Sequence, residues 1–257
     1  MAEPPPAVIR AARALALDPG RLRHLGGASA FTWAAGDQVL RVGQRDRMRI
    51  ELAAAATAAR VLPVPRVLGR AEVGGHLAVV LERLPGRPAI EVALRDLGAA
   101  RLVGEACAGV HAVLAEALAP AGLPPVPDGP TNMPPVAGPR LLHLDLHPFN
   151  LLASDDGELT GVLDWANAAA GHPSLDRART WSILTLDPAA VARQADPAFA
   201  ALASTWIETA HLAETPGAAR AWACRYMLND LSRRYSPGAL AHVHEAYERL
   251  RQRTASM

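Results

Sequence analysis

The sequence predicts an α+β fold in two lobes, an antiparallel sheet with one helix followed by a mostly helical half. Three observations carry that reading. Short β-rich runs broken by glycine turns fill the first third of the chain. One stiff segment, Leu84-Pro85-Gly86-Arg87-Pro88, separates them from the remaining two thirds, and from Ser174 onward the pattern is helical almost to the end. Half of the 257 residues are hydrophobic and 20% are charged, the profile of a chain that buries a core rather than a disordered one.

Pro6 to Leu17 has apolar residues at helical spacing and stops at Asp18-Pro19-Gly20, so a short leading helix is expected. LRHLGG, AFTWAAGD and QVLRVG then read as three strands of a meander. RDRMRIELAAAATAARVL carries strong helix formers up to the breaker Pro63-Val64-Pro65. RVLGRAEV and HLAVVLERL flank Gly74-Gly75 as a hairpin, which brings the sheet to about five strands. The stiff connector places a lobe boundary between 1–84 and 85–257.

Beyond it, DLGAARLVGEACAGVHAVLAEAL is a long apolar helix, and the proline-rich stretch from Pro120 to Pro139 reads as a rigid, exposed loop outside the core. LLHLDLHPFNLLASDDGELTGVLDW holds two short apolar runs around Asp155-Asp156-Gly157, a hairpin with polar residues at its ends. The helical remainder breaks at Asp187-Pro188, Asp196-Pro197, Thr215-Pro216-Gly217 and Ser236-Pro237-Gly238.

Composition argues against several classes of partner. The net charge is +1, and every basic residue other than histidine is arginine, with no lysine in the chain. No stretch clusters arginines with interleaved aromatics, so nucleic acid is not an expected partner. No apolar run is read as approaching the roughly 20 residues that span a bilayer, and MAEPPPAVIR lacks a leader pattern, so no membrane and a cytoplasmic location are expected. Cys107 and Cys224 fall in amphipathic patterns without metal-ligand spacing and read as buried free thiols.

Charged groups set between apolar runs cost free energy unless they are paired or hold a ligand, and HLDLHPFN and VLDW concentrate them. Phosphoryl transfer uses such a set: a carboxylate that orients the nucleophile and accepts its proton, and oxygen ligands for a Mg²⁺ bridging the phosphates. Asp145, Asn150 and Asp164 fit those roles. Two other readings stand beside this one. Asp and Asn also satisfy backbone groups in ordinary turns. His143, Asp145 and His147 alternate, so on a continuous strand they would share one face and could bind a transition metal as a hydrolase does, although Pro148 argues against such a strand.

HLDLHPFN resembles the catalytic loop of the aminoglycoside phosphotransferase family, which includes choline-kinase-like enzymes, and GVLDWANAAAGHPSLD resembles its metal-binding segment. The resemblance implies a protein-kinase-like two-lobed fold, with 1–84 as the nucleotide-binding lobe and 85–257 as the catalytic and substrate-binding lobe. It makes Asp145 the catalytic base or hydroxyl-orienting residue and Asn150 and Asp164 the Mg²⁺ ligands, with His143 and Asp176 supporting the loop and His147 at a position the family often fills with histidine.

Upstream, GGASAFTW is similar to the phosphate-covering loop, with Gly27 and Ser29 toward the nucleotide, and QVLRVG is similar to the strand that supplies a basic residue, here Arg41. Glu51 matches the helix glutamate that pairs with it, and LERLPGRP resembles the hinge that reads the base through backbone groups of Glu82 to Leu84. Three positions depart from the family pattern: Leu144 where glycine is usual, Ala166 where an acidic residue is common, and Arg41 where kinases use lysine.

The activity so implied is transfer of the γ-phosphoryl group of ATP or GTP to a hydroxyl of a small molecule. The acceptor is an aminoglycoside or other antibiotic, or a metabolite of the choline or homoserine kind. A nucleotide-binding scaffold without turnover is the alternative, and a monomer or homodimer is expected.

Overall fold

A computed structural model describes residues 3–25 and 31–255. Gly27 and Ser29 lie outside the described residues. Helix α1 (Pro6–Ala14) begins with a proline in its first turn, where a missing N–H costs nothing, and buries Val8, Ala11 and Ala12 at helical spacing. Strands β1 (Arg23–His24), β2 (Thr32–Ala35) and β3 (Gln38–Gln44) follow, then α2 (Arg45–Ala58), β4 (Val67–Val73) and β5 (His76–Glu82). They form one antiparallel sheet in the order β1-β2-β3-β5-β4. Gly74 and Gly75 join the last hairpin with φ of 57° and 80°, the left-handed pair that a two-residue turn needs to match strand twist.

The two-residue pleat decides what each face meets. Leu40, Val42, Ala78 and Val80 point to one face and pack with Val8, Ala11, Ala12 and Trp33. Leu77 and Val79 point to the other and pack with Met48 of α2. Arg41 pairs with Val79 in register, so its side chain stands on the α2 side of the sheet.

After the sheet come β6 (Arg87–Pro88), α3 (Ala89–Ala93), α4 (Leu97–Glu116), β7 (Arg140–Leu142), β8 (Leu151–Ala153), β9 (Leu159–Val162) and β10 (Ala169–Gly171). Strand β6 pairs with β8 and β8 with β9, while β7 pairs with β10. Gly86, at φ 98°, sits where a β-carbon would lie 2.6 Å from the Ala153 carbonyl oxygen, so the connector is clamped onto β8 rather than hanging free. Helices α5 (Pro173–Leu186), α6 (Pro188–Val191), α7 (Pro197–Thr209), α8 (Gly217–Leu231) and α9 (Ala241–Ala255) complete the chain. Asp96, Asp187 and Asp196 cap their helices through side-chain oxygens, and the Asp-Pro pairs therefore mark starts as well as breaks.

The main core lies in the second half, where Val103, Cys107, Val110 and Leu114 of α4 join the cluster that also holds Leu141, Leu146, Trp165, Phe199, Leu202 and Trp206. Both cysteines are free and buried.

Two sequence expectations need correction. Helix α4 has 20 residues and a window of mean hydropathy 1.3, long and apolar enough to cross a membrane by length and composition. Its few charges, Arg101, Glu105 and Glu116, leave a run of Ala, Val, Leu and Gly whose buried face is the centre of the core. The proline-rich loop is also more than an exposed spacer. Leu123 is buried, the Val126 N–H donates to the Ala170 carbonyl at 3.1 Å, and the Trp222 indole N–H donates to the Pro127 carbonyl at 3.0 Å. Prolines without N–H groups leave free carbonyls, and neighbouring elements use them.

Candidate active site

Strand β7 ends at Leu142, and the chain then turns through Leu144 with φ 62°. A left-handed leucine costs roughly 1–2 kcal/mol. Here the side chain is buried among Leu142, Ala169, Leu175 and Trp222, which offsets the strain. Leu144→Gly is therefore expected to lower stability by about 1–3 kcal/mol, because loss of the packed side chain exceeds the relief of strain. Urea unfolding of the variant measures it, and a gain in stability would refute the packing argument.

Asp176 of α5 holds this turn. Its Oδ1 accepts from the backbone N–H of His143 at 2.9 Å and of Leu144 at 2.7 Å. On its other side the His111 Nδ1 of α4 lies 3.4 Å from Oδ2, an ion-pair distance without hydrogen-bond alignment. Burial pushes the Asp176 carboxyl up, but His111 and the Leu144 N–H outweigh it and hold the carboxyl below its ordinary range. His143 is wholly buried. Its Nδ1 accepts from the Asp145 N–H at 3.2 Å, so Nε2 carries the proton and donates to the Leu163 carbonyl at 2.9 Å. Both ring nitrogens are used within the protein, which removes His143 as a transition-metal ligand and with it the alternating His-Asp-His reading.

Asp145 emerges from this turn partly exposed. The Asn150 amide donates to its backbone carbonyl at 2.9 Å and to its Oδ2 at 3.3 Å. Both acceptors are oxygens, so Nδ2 faces Asp145 and the amide Oδ1 is left over. His147 accepts the Phe149 N–H on Nδ1 at 3.3 Å, which leaves its Nε2 3.8 Å from Asp145 Oδ2. Burial moves the His147 imidazole below its ordinary range, against the opposing charge of Asp145. The Asn150 carbonyl in turn accepts from the Leu163 N–H at 2.8 Å, which brings the residue before Asp164 against the loop.

Asp164 has φ 60° and ψ 72° and opens a short 3-10 turn, Trp165–Asn167. A left-handed aspartate at the end of a strand turns its carboxylate back across the interface with the sheet. There Arg41 spans two carboxylates, Nη1 to Glu51 Oε1 and Nη2 to Asp164 Oδ1, each at 2.9 Å. Burial pushes Asp164 up, and the Arg41 guanidinium, by charge and hydrogen bond, brings it below the usual carboxylate range. The guanidinium is itself held protonated by Glu51 and Asp164 against the pull of burial.

Burial lifts Glu51 from 4.5 to about 7, Arg41 offsetting part and Asp164 adding to the rise. Such a carboxyl keeps its proton longer in the folded chain than in the unfolded one. Its contribution to stability is fully present below pH 4.5 and is lost as pH rises through about 7, on the order of 3 kcal/mol in all. Melting temperature against pH for the wild type and Glu51→Gln checks this: the variant's curve should be flatter between those limits, and parallel curves would rule the carboxyl out.

At the connector, the Glu82 N–H donates to the Arg66 carbonyl at 2.9 Å and the Arg83 N–H to the Asp37 carbonyl at 3.3 Å. The Glu82 carboxylate is taken by Arg66 Nε at 2.8 Å. The Leu84 N–H has no partner among the described residues. Its side chain lies against Gly161 of β9.

The structure thus brings together Arg41, Glu51, Asp164, Asn150 and Asp145 and sets Leu84 at the connector. Sequence reasoning missed His111, since a lone histidine in an apolar helix carries no signal of its distant partner. It also missed a cleft against α8, lined by Arg47, Tyr226 and Asp230 among others.

Comparison with known proteins agrees with this fold. The phosphotransferase enzyme family matches residues 128–222, a span that contains Asp145, Asn150, Asp164 and Asp176. No curated protein matches the chain by sequence. Among solved structures, the streptomycin–ATP–APH(2″)-IIa ternary complex is similar at 12% identity and TM-score 0.62, over 96% of this chain and 99% of that one. ADP-bound aminoglycoside phosphotransferase APH(2″)-Ib is similar at 12% identity and TM-score 0.56, over 93% and 95%. Macrolide 2′-phosphotransferase type I is similar at 15% identity and TM-score 0.52, over 95% and 97%. The chain has the two-lobed kinase-like fold of the aminoglycoside and macrolide phosphotransferases, and over residues 128–222 it carries the sequence pattern of the phosphotransferase enzyme family.

Proposed function

We propose that this protein is a Mg²⁺-dependent kinase that transfers the γ-phosphoryl group of ATP to a hydroxyl of a small molecule. The observation that carries the proposal is the joining of one loop to one carboxylate: Asn150 holds Asp145 with its amide and the chain before Asp164 with its carbonyl, while Arg41 faces Asp164 from the sheet.

In this reading the Leu84 N–H, with the carbonyl of Glu82, meets the base, and Arg41, oriented by Glu51, meets the phosphates. Asp145 orients the acceptor hydroxyl and takes its proton as the oxygen–phosphorus bond forms and the bond to the leaving ADP oxygen breaks. The Asn150 amide keeps the Asp145 carboxylate aimed. The leftover Asn150 Oδ1 and the Asp164 carboxylate are hard oxygens suited to Mg²⁺, which takes few protein ligands and completes its shell with phosphate and water. When bound there it would neutralise charge on the phosphates.

Asp164→Asn tests the assignment. Nucleotide binding titrated against Mg²⁺ should shift to higher metal concentration by more than the roughly tenfold that loss of an outer partner costs. An unchanged metal dependence would make Asp164 a structural partner of Arg41 only.

A further inference from the structure

A cleft of about 360 Å³ lies beside the Asp145 loop, lined by Arg47 of α2, Asp128 of the proline-rich loop, Asn167 after Asp164, and Arg225, Tyr226 and Asp230 of α8. Its wall adjoins the Asp145 turn: Trp222, which lines the cleft, and Tyr226 pack in the same buried cluster as Leu144, the residue before Asp145. This places it where an acceptor would approach the loop.

The charges of the cleft are not those of a cation site. The Asp230 carboxylate already meets Arg179 at 3.4 Å and Arg234 at 3.5 Å, both on Oδ2. Arg179 in turn stacks over the Tyr226 ring at 5.0 Å, which closes that face of the aromatic to another cation. Asp128 is the other carboxylate in the lining, and its backbone carbonyl accepts from Arg225 Nη2 at 2.7 Å. That bond fixes the Arg225 fork with Nε and Nη1 still available. Among the described residues neither Arg47 nor Arg225 forms an ion pair with a carboxylate, although Arg41, Arg66, Arg179 and Arg251 do. A polycation entering here would meet two guanidinium groups without a carboxylate partner against one unpaired carboxylate, that of Asp128, whereas an oxyanion would meet donors already in place.

Resting on the kinase reading above, we infer that the acceptor is a hydroxyl compound bearing an oxyanion, a carboxylate or a phosphate, held by Arg225 and Arg47, and not a polycation. The oxyanion docks on the α8 side and the hydroxyl reaches toward Asp145. Arg225 and Arg47 act as specificity residues and take no proton.

The test uses a charge-graded set: glycerol, glycerate and glycerol phosphate, beside streptomycin and gentamicin. Each is given to the full chain with ATP and Mg²⁺ while ADP release is followed, and each is titrated calorimetrically into chain saturated with a non-hydrolysable ATP analogue. The anionic compounds should bind and be turned over with kcat/KM about tenfold or more above glycerol, the difference one charge-assisted bond makes. Arg225→Gln and Arg47→Gln should each erase much of that difference through KM. Preference for glycerate or for glycerol phosphate tells which oxyanion is recognised. Preference for streptomycin or gentamicin overturns the inference and leaves the kinase reading intact, and so does failure of both anionic compounds to bind. Anion binding that depends on Arg225, without ADP release for any compound, supports the oxyanion site and overturns the kinase reading instead.

Discussion

Replacing Asp145 by alanine is expected to lower turnover by roughly 10²–10⁴-fold while nucleotide still binds. The geometry makes this a clean experiment. The Asp145 side chain contacts Asn150 and approaches His147, and neither contact is part of the Arg41–Glu51–Asp164 bridge. With the carboxylate gone, the Asn150 amide keeps its bond to the residue 145 carbonyl, and the Asn150 carbonyl keeps the Leu163 N–H. The groups proposed to hold metal and nucleotide therefore stay in place, and only the proposed base for the acceptor is lost. Asp145→Asn refines the result: it keeps the shape but cannot accept a proton, so it should fall nearly as far as alanine. Steady-state ADP release together with nucleotide dissociation constants measures both variants. Parallel loss of affinity and turnover would mean that Asp145 serves the nucleotide site rather than the acceptor.

Arg41→Ala should lower kcat/KM by roughly 10²–10³, the scale seen when a preorganised charged donor is removed from a phosphate or oxyanion. It should also destabilise the fold, because Asp164 loses its cation and the buried Glu51 carboxyl loses its partner and is driven to its protonated form. Breaking a buried pair costs about 3–5 kcal/mol, and the lower end or less applies here because Asp164 is 39% exposed. Adding Glu51→Gln should recover part of that stability and none of the activity, which separates the structural from the functional share. Arg41→Lys should keep partial activity, since an ammonium supplies the charge but cannot fork to Glu51 and Asp164 together. The native chain has no lysine, so a lysine-directed acyl-nucleotide probe should leave it unlabelled at lysine. Arg41→Lys should become labelled and be protected by excess ATP. Wild-type kinetics in Arg41→Ala would show that another group holds the phosphates.

Local pattern determined the features that depend on period and spacing. Alternation in QVLRVG and HLAVVLE placed Leu40 and Val80 on one face of the sheet and Arg41 on the other, so the meeting of Arg41 with a glutamate seven residues into α2 results from the pleat and one helix. The five-residue step from Asp145 to Asn150 was legible as part of the resembled loop pattern, whereas the bond from the Asn150 amide to the Asp145 carbonyl at 2.9 Å came only from the structure. Glycine pairs and Asp-Pro steps marked the turns and helix starts because φ and capping are local properties.

Long-range partnership was decided by the tertiary structure alone. Asp176 closes on the backbone of residues 32 and 33 positions earlier, and Arg41 reaches Asp164 across 123. Periodicity tells which face of an element is apolar, but not which distant carboxylate its polar residues will meet. The left-handed Leu144 shows the same limit: its strain is local, yet what makes it tolerable is a core assembled from β7, β10, α5 and α8. The α8 cleft is the extreme case. Arg47, Asp128 and Arg225 carry no signal of a site in the sequence, and only the packing of α2, the proline-rich loop and α8 turns them into one wall, because a site's charge is a sum over groups that the chain brings together last.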